Sequence, residues 1–194
     1  MTREAEREQG IQPQRVIAND HARGEHMYIG ESFVERGENA AHINVLIGPK
    51  TGPVGQALAA SLAAPRLGHP PFMTILKPNL PVKPATLFSA KGDLRGDEHA
   101  TLTFGPAQLG VAEGVTRAVL ERILPEVAIE DWCIIAAVWV NWSANDADRI
   151  YVNNRTATYE AIQRAMHLKP TAGELAEALS TASNPFYEPA ASLR

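Results

Sequence analysis

Gly37-Glu38-Asn39-Ala40-Ala41-His42-Ile43-Asn44-Val45-Leu46-Ile47-Gly48-Pro49-Lys50-Thr51-Gly52-Pro53-Val54-Gly55 is the stretch whose reading decides the fold. It begins polar, becomes an apolar run and ends in a loop rich in glycine and proline. Ile43, Val45 and Ile47 alternate with other residues at period two, which predicts a strand. His42 stands at the mouth of that strand, where polar and apolar surroundings meet. An imidazole placed there is partly desolvated and still reaches a substrate. Its unperturbed pKa near 6.5 suits proton transfer at neutral pH. The plainer alternative is a histidine that only satisfies a local backbone group.

Working outward, Met27 to Val34 predicts a first strand and Glu35-Arg36-Gly37-Glu38 a polar turn, so the His42 strand returns as a hairpin. Gly48 to Gly55 superficially resembles a phosphate loop. That loop needs a lysine and a hydroxyl after its last glycine, and Gln56-Ala57 follows Gly55 instead. The segment reads better as a strand-to-helix turn, with a small-sided helix over 53–64 and Pro53 in its first turn. Phe72 to Leu76 predicts a third strand. Lys77-Pro78-Asn79-Leu80-Pro81-Val82-Lys83-Pro84 reads as a stiff extended connection. Thr86 to Lys91 is a fourth strand, and its continuation would put Lys91 and Asp93 on one face. Residues 97–104 are ambiguous between helix and irregular chain. Pro106 marks a helix entry or a break in a longer helix, followed by a helical stripe at Leu109, Ala112, Val115, Val119 and Ile123. The run from Trp132 to Val140 predicts a central buried strand. A helix over 153–167 follows, then a weaker helical piece over 173–180 and a tail with Asn184-Pro185-Phe186-Tyr187. The order β-β-α-β-β-α-β-α implies a two-layer α/β (α+β) sandwich, with helices on one face of a mixed sheet.

Bulk properties narrow the function. The 194 residues suit one domain with tails, and 45% apolar residues suffice for a core. We read a flexible extension over 1–26, a domain over 27–168 and a C-terminal tail over 169–194. A net charge of −4 gives no electrostatic reason to expect nucleic acid or an anionic membrane. The single Cys133 lies in an apolar run, which predicts a buried small hydrophobe, and one cysteine excludes an intrachain disulfide. The six histidines show no metal-ligand spacing, so no metal is expected. With no secretory signal and no apolar run long enough to span a bilayer, the expected compartment is the cytoplasm.

Several short motifs then occur in order and at matching spacing. They are Ile29-Gly30-Glu31-Ser32, Ala41-His42-Ile43, Leu46-Ile47-Gly48-Pro49, Gly52-Pro53, Pro78-Asn79-Leu80-Pro81, Lys83-Pro84, Thr86-Leu87, Phe104-Gly105-Pro106-Ala107-Gln108 and Tyr159-Glu160-Ala161. Together, over about residues 28–167, they resemble the formaldehyde-activating enzyme family. The resemblance implies a fold like domain 2 of ribosomal protein S5. It implies condensation of formaldehyde with tetrahydromethanopterin to methylene-tetrahydromethanopterin and water, a carbon-oxygen lyase reaction needing no metal or redox cofactor. It also implies homopentamers with the reduced pterin bound between subunits. His42 falls at the proton donor's position, and Asn44, Met73, Lys91, Asp93 and Gln108 fall at pterin contacts. Gln108 suits a heterocycle edge, and Lys91 a carbonyl or negative group.

Some of these positions depart from the family pattern. Asn44 stands where the family usually has aspartate, Asp93 where it has threonine and Met73 where it has leucine. In one reading Asp93 replaces the carboxylate lost at 44, from another wall of the same pocket. The alternative is that Asp93 pairs with Lys91 on an exposed strand, which would contribute little. A different functional class stays open as well: a pterin-binding or formaldehyde-sensing paralogue without turnover.

Overall fold

The computed structural model describes residues 26–65 and 69–193. The expected extension before residue 26, with its short helix, lies outside them. Strand β1 (Tyr28–Val34) and strand β2 (Ala41–Pro49) form the expected antiparallel hairpin, with Gly30 opposite Val45 and Phe33 opposite His42. Helix α1 (Pro53–Ala63) follows, and then the short strands β3 (Phe72–Met73), β4 (Ile75–Lys77) and β5 (Leu80–Pro81). Strand β6 (Ala85–Ala90) precedes α2 (Gly96–Leu102) and α3 (Gln108–Leu120). A single-turn α4 (Ala128–Asp131), strand β7 (Trp132–Val140), α5 (Ala147–Met166) and α6 (Ala172–Ala178) complete the order.

The main sheet runs β1-β2-β7-β6-β3. Only the β6–β7 pair is parallel, so the sheet is mixed, as expected. Period-two alternation sorts its side chains. Ile43, Val45 and Ile47 of β2 and Ile134, Ala136 and Val138 of β7 are fully or almost fully buried. They face α3 and α5, whose own buried stripes include Val111, Val115, Ala157, Ala161 and Ile162. This gives the α/β two-layer sandwich. Helix α1 is an exception to helices on one face. It packs across β2 and β7 on the opposite side, where its buried Val54 meets Gly48.

Two segments differ from expectation, and a third settles an open alternative. The proline-rich 77–84 segment is a hairpin rather than an extended connection. Asn79 adopts φ 65°, which asparagine tolerates better than most residues, and β5 turns back onto β4. Residues 96–120 form one continuous helical course, with a π-helical segment at Thr103–Ala107. Proline lacks an N–H and crowds the preceding turn, and the widened turn takes up Pro106 without ending the helix. Helix α5 starts six residues earlier than expected because the Asp146 side chain caps it by accepting from Arg149 N.

Close approach of α5 depends on small residues. A Cβ on Gly30 would lie 1.9 Å from the Ala161 carbonyl oxygen, and one on Gly110 2.5 Å from that of Tyr151. Backbone cannot yield as a flexible side chain does. Gly30→Ala is therefore expected to cost at least ~3 kcal/mol, lowering Tm by roughly 6–12 °C in thermal unfolding.

Candidate active site

The face of the sheet opposite α3 and α5 carries the polar residues. Cross-strand register arranges them in rows. Phe33, His42 and Trp139 stand side by side on β1, β2 and β7. Lys91 extends this row, because its backbone N–H continues the parallel ladder by donating to Val138 O at 2.8 Å. The next row is Glu31, Asn44, Ala137 and Ser89. The third is Ile29, Leu46, Ile135, Leu87 and Met73.

His42, Asn44 and Lys91 thus share one face, and Met73 lies on it at the far edge. Glu31, which sequence reasoning did not single out, supplies the closest partner. Its Oε1 lies 3.1 Å from His42 Nε2, reached diagonally across the β1–β2 pair. The signal was available: the hairpin pairing sets Glu31 beside Asn44. The imidazole ring is also tilted against Phe33, with centroids 5.7 Å apart. The approach to His42 is anchored to the start of α5. Asn39 Oδ1 accepts from the backbone N–H groups of Asn145 and Asp146 at 3.0 and 3.1 Å, and Asn153 Nδ2 donates to Asn39 O at 2.8 Å.

The electrostatics of this face are unusual. Desolvation lowers the pKa of His42, the positive charge of Lys91 lowers it further, and Glu31 opposes both. Lys91 Nζ is buried without a hydrogen-bond partner among the described residues. Burial brings its pKa down to about 8, again against the pull of Glu31. A desolvated imidazole and a desolvated amine therefore share one carboxylate, and both titrate closer to neutrality or below it than usual.

Asp93 and Gln108 are placed differently. Strand β6 ends at Ala90, so Asp93 leaves the ladder and does not pair with Lys91. Its Oδ1 lies 3.1 Å from His69 Nε2 instead. Gln108 is buried at the start of α3, where its Nε2 donates to Ile75 O at 2.8 Å. Among the described residues no contact brings it to the His42 row. The C-terminal segment does reach that row. Phe186 meets the Trp139 ring edge-on at 5.7 Å, beside a cavity of about 270 Å³ that Phe33 also lines. Cys133 is buried, as expected, and burial raises its pKa. Among the described residues no group of three or more His, Cys, Asp or Glu gathers as a metal site, and no helix is long and apolar enough to cross a membrane.

An imidazole held by a carboxylate, on one open sheet face with a buried amine that lacks a hydrogen-bond partner among the described residues, gathers the groups acid–base chemistry uses on an α/β sandwich. Residues 29–187 match the family model described as formaldehyde-activating enzyme (Fae), and the chain belongs to that family. The match runs past residue 167 and includes Phe186. A 5,6,7,8-tetrahydromethanopterin hydro-lyase of Methanosarcina barkeri is 41% identical over 158 residues, covering 81% of this chain and 89% of the relative. Bifunctional enzymes Fae/Hps of Methanococcoides burtonii and Methanothrix thermoacetophila are 41% and 43% identical over 140 and 138 residues. These alignments cover 72% and 71% of this chain, but only 35% of each bifunctional relative.

The unpaired Lys91 has a measurable cost. Its folded pKa of about 8 lies below its ordinary 10.5. The unfolded state therefore holds more protons between those values, and stability rises with pH across that window. The penalty is full below about pH 8 and fades above it. Lys91→Met is expected to stabilise the fold at pH 7 by about 1–2 kcal/mol, a figure discounted for partial solvent access, in chemical denaturation. The gain should shrink as the pH rises through 8 towards 10.

Proposed function

We propose that this chain condenses formaldehyde with tetrahydromethanopterin to methylene-tetrahydromethanopterin and water, with His42 as the proton donor. The observation that carries the reading is the His42–Glu31 contact, set beside Lys91 in a family member. A carrier amine attacks the formaldehyde carbon. A C–N bond forms, the neutral imidazole of His42 takes the amine's proton and the carbonyl oxygen gains one from solvent, giving a carbinolamine. The C–O bond then breaks, and the hydroxyl leaves as water with a proton from the imidazole. A second amine of the carrier closes onto the resulting iminium carbon and gives up its proton. Overall, two N–H protons leave with the carbonyl oxygen, so no metal or redox step is needed for the balance.

Glu31 holds Nε2, so the imidazole exchanges the travelling proton at Nδ1. The lowered pKa of His42 suits a group that accepts a proton from one nitrogen and gives it to the departing oxygen. Lys91 supplies positive charge toward a carbonyl or anionic group of the carrier. Asn44 offers a neutral donor and acceptor where a second carboxylate would face Glu31 directly. Met73 and Gln108 lie away from the His42 row within one chain. Their separation supports a site completed by a neighbouring subunit, as in the homopentamer that the resemblance implies.

The test is the rate of methylene-tetrahydromethanopterin formation above the spontaneous condensation. His42→Ala is expected to lower kcat by roughly 10²–10⁴-fold while carrier binding persists. Carrier binding with no acceleration by the wild type would assign the chain to a non-catalytic pterin-binding paralogue instead.

A further inference from the structure

Strand β6 ends at Ala90, and Lys91 makes one further ladder bond, its backbone N–H donating to Val138 O at 2.8 Å. The chain then leaves the sheet for the loop 92–95, which leads into α2. No strand pairing holds this loop. Two side chains outside the His42 row hold its backbone instead, and both bring it to the end of β7.

The first is His99, buried in α2. Its Nδ1 accepts from the backbone N–H of Arg95 at 3.2 Å, and its Nε2 lies 3.1 Å from Val140 O, the last carbonyl of β7. A backbone N–H only donates and a carbonyl only accepts, so the ring stands in its Nε2–H tautomer and uses both nitrogens on the main chain. It reaches back to the residue before its helix much as the acid of a capping box does. The second is Trp142. Its Nε1 donates to Asp93 O at 3.0 Å, and the Arg95 guanidinium lies 3.6 Å over its ring. The same ring comes within 3.5 Å of where a Cβ on Gly92 would stand. Gly92, Asp93 and Arg95 are thus each tied to the stretch 140–142.

We propose that His99 is a positioning residue which, with Trp142, clasps the loop after β6 to the end of β7 and so keeps the Lys91 ammonium in the His42 row. Lys91 Nζ has no hydrogen-bond partner among the described residues, so its place depends on the backbone that carries it. Lys91 and Glu31 are the charged groups that act on His42, in opposite senses. Releasing the loop lets the long side chain swing its ammonium into water, where the charge is screened. His42 then loses an influence that lowers its proton affinity, and Lys91 loses the desolvation that lowers its own. The inference rests on the reading of His42 as the proton donor and extends it to two residues outside the acid–base row.

The experiment takes two pH profiles of the wild type, His99→Leu, His99→Gln and Trp142→Phe. One is kcat/KM for methylene-tetrahydromethanopterin formation, and the other is trace acetylation of Lys91 read by peptide mass spectrometry. His99→Leu and Trp142→Phe are expected to move the acid limb of kcat/KM to higher pH and the acetylation midpoint of Lys91 from about 8 towards 10.5. His99→Gln, which keeps one acceptor and one donor, is expected to recover part of both shifts. In a Lys91→Met background there is no ammonium to displace, so neither substitution should move the acid limb further. Trp142 is exposed, so Trp142→Phe reports on the clasp even if His99→Leu does not fold. A Lys91 midpoint that stays near 8 in either folded variant, or an acid-limb shift that persists in the Lys91→Met background, would overturn the inference and leave the function standing. A wild-type chain that does not convert the carrier would overturn the functional reading, while the acetylation midpoints, which need no carrier, would still decide the clasp.

Discussion

The register of β1 on β2 is the constraint on which the rest depends. One pairing decides which side chains of both strands enter the core. With Gly30 opposite Val45, the residues Ile43, Val45 and Ile47 turn inward against α3 and α5, and His42 and Asn44 turn outward. The same pairing sets Glu31 across from Asn44 and within 3.1 Å of His42. A slip of one residue would bury the imidazole and expose the core, so packing and chemistry are fixed together. Gly30 is where this constraint is tightest, because α5 lies against its backbone with no room for a side chain.

The outward face pays for its reactivity in desolvation. Lys91 holds a partly buried ammonium without a partner, and His42 loses proton affinity both to burial and to that ammonium. Glu31 is the counterweight to both groups. Such an arrangement does little for folding. It lowers the proton affinity of an imidazole on an open face, which suits a group that gains and loses a proton. The C-terminal segment brings Phe186 against Trp139 in the same row, so the tail contributes to the surroundings of the site.

How much of this was legible in the sequence varies with the local physics. Trp132 to Val140 could be read directly, because a strand buried by neighbours on both edges is a continuous apolar run. The beginning of α5 could not, because Asp146 to Val152 is polar on the surface and its start depends on a single cap. The β4–β5 hairpin was hidden by prolines that suggest an extended chain, while Asn79 makes the turn. At the site, His42, Asn44 and Lys91 follow from motif and period. Glu31 required the hairpin register to be carried through to side chains. For Asp93 two readings stood open, and the one that pairs it with Lys91 fails because period two predicts a face only while the strand continues, and β6 stops at Ala90. His69 gave no signal of its own, because its meaning comes from a contact that spans 24 positions of chain.

The most direct measurement is the pH dependence of kcat/KM for methylene-tetrahydromethanopterin formation in the wild type and in Glu31→Gln. With its proton affinity already reduced, His42 should give the wild type an acid limb below pH 6.5. Loss of the carboxylate removes the one influence that raises the His42 pKa. The account therefore predicts a lower plateau in Glu31→Gln and an acid limb displaced to still lower pH. An acid limb at or above 6.5 in the wild type, or one that stays in place in Glu31→Gln, would contradict it.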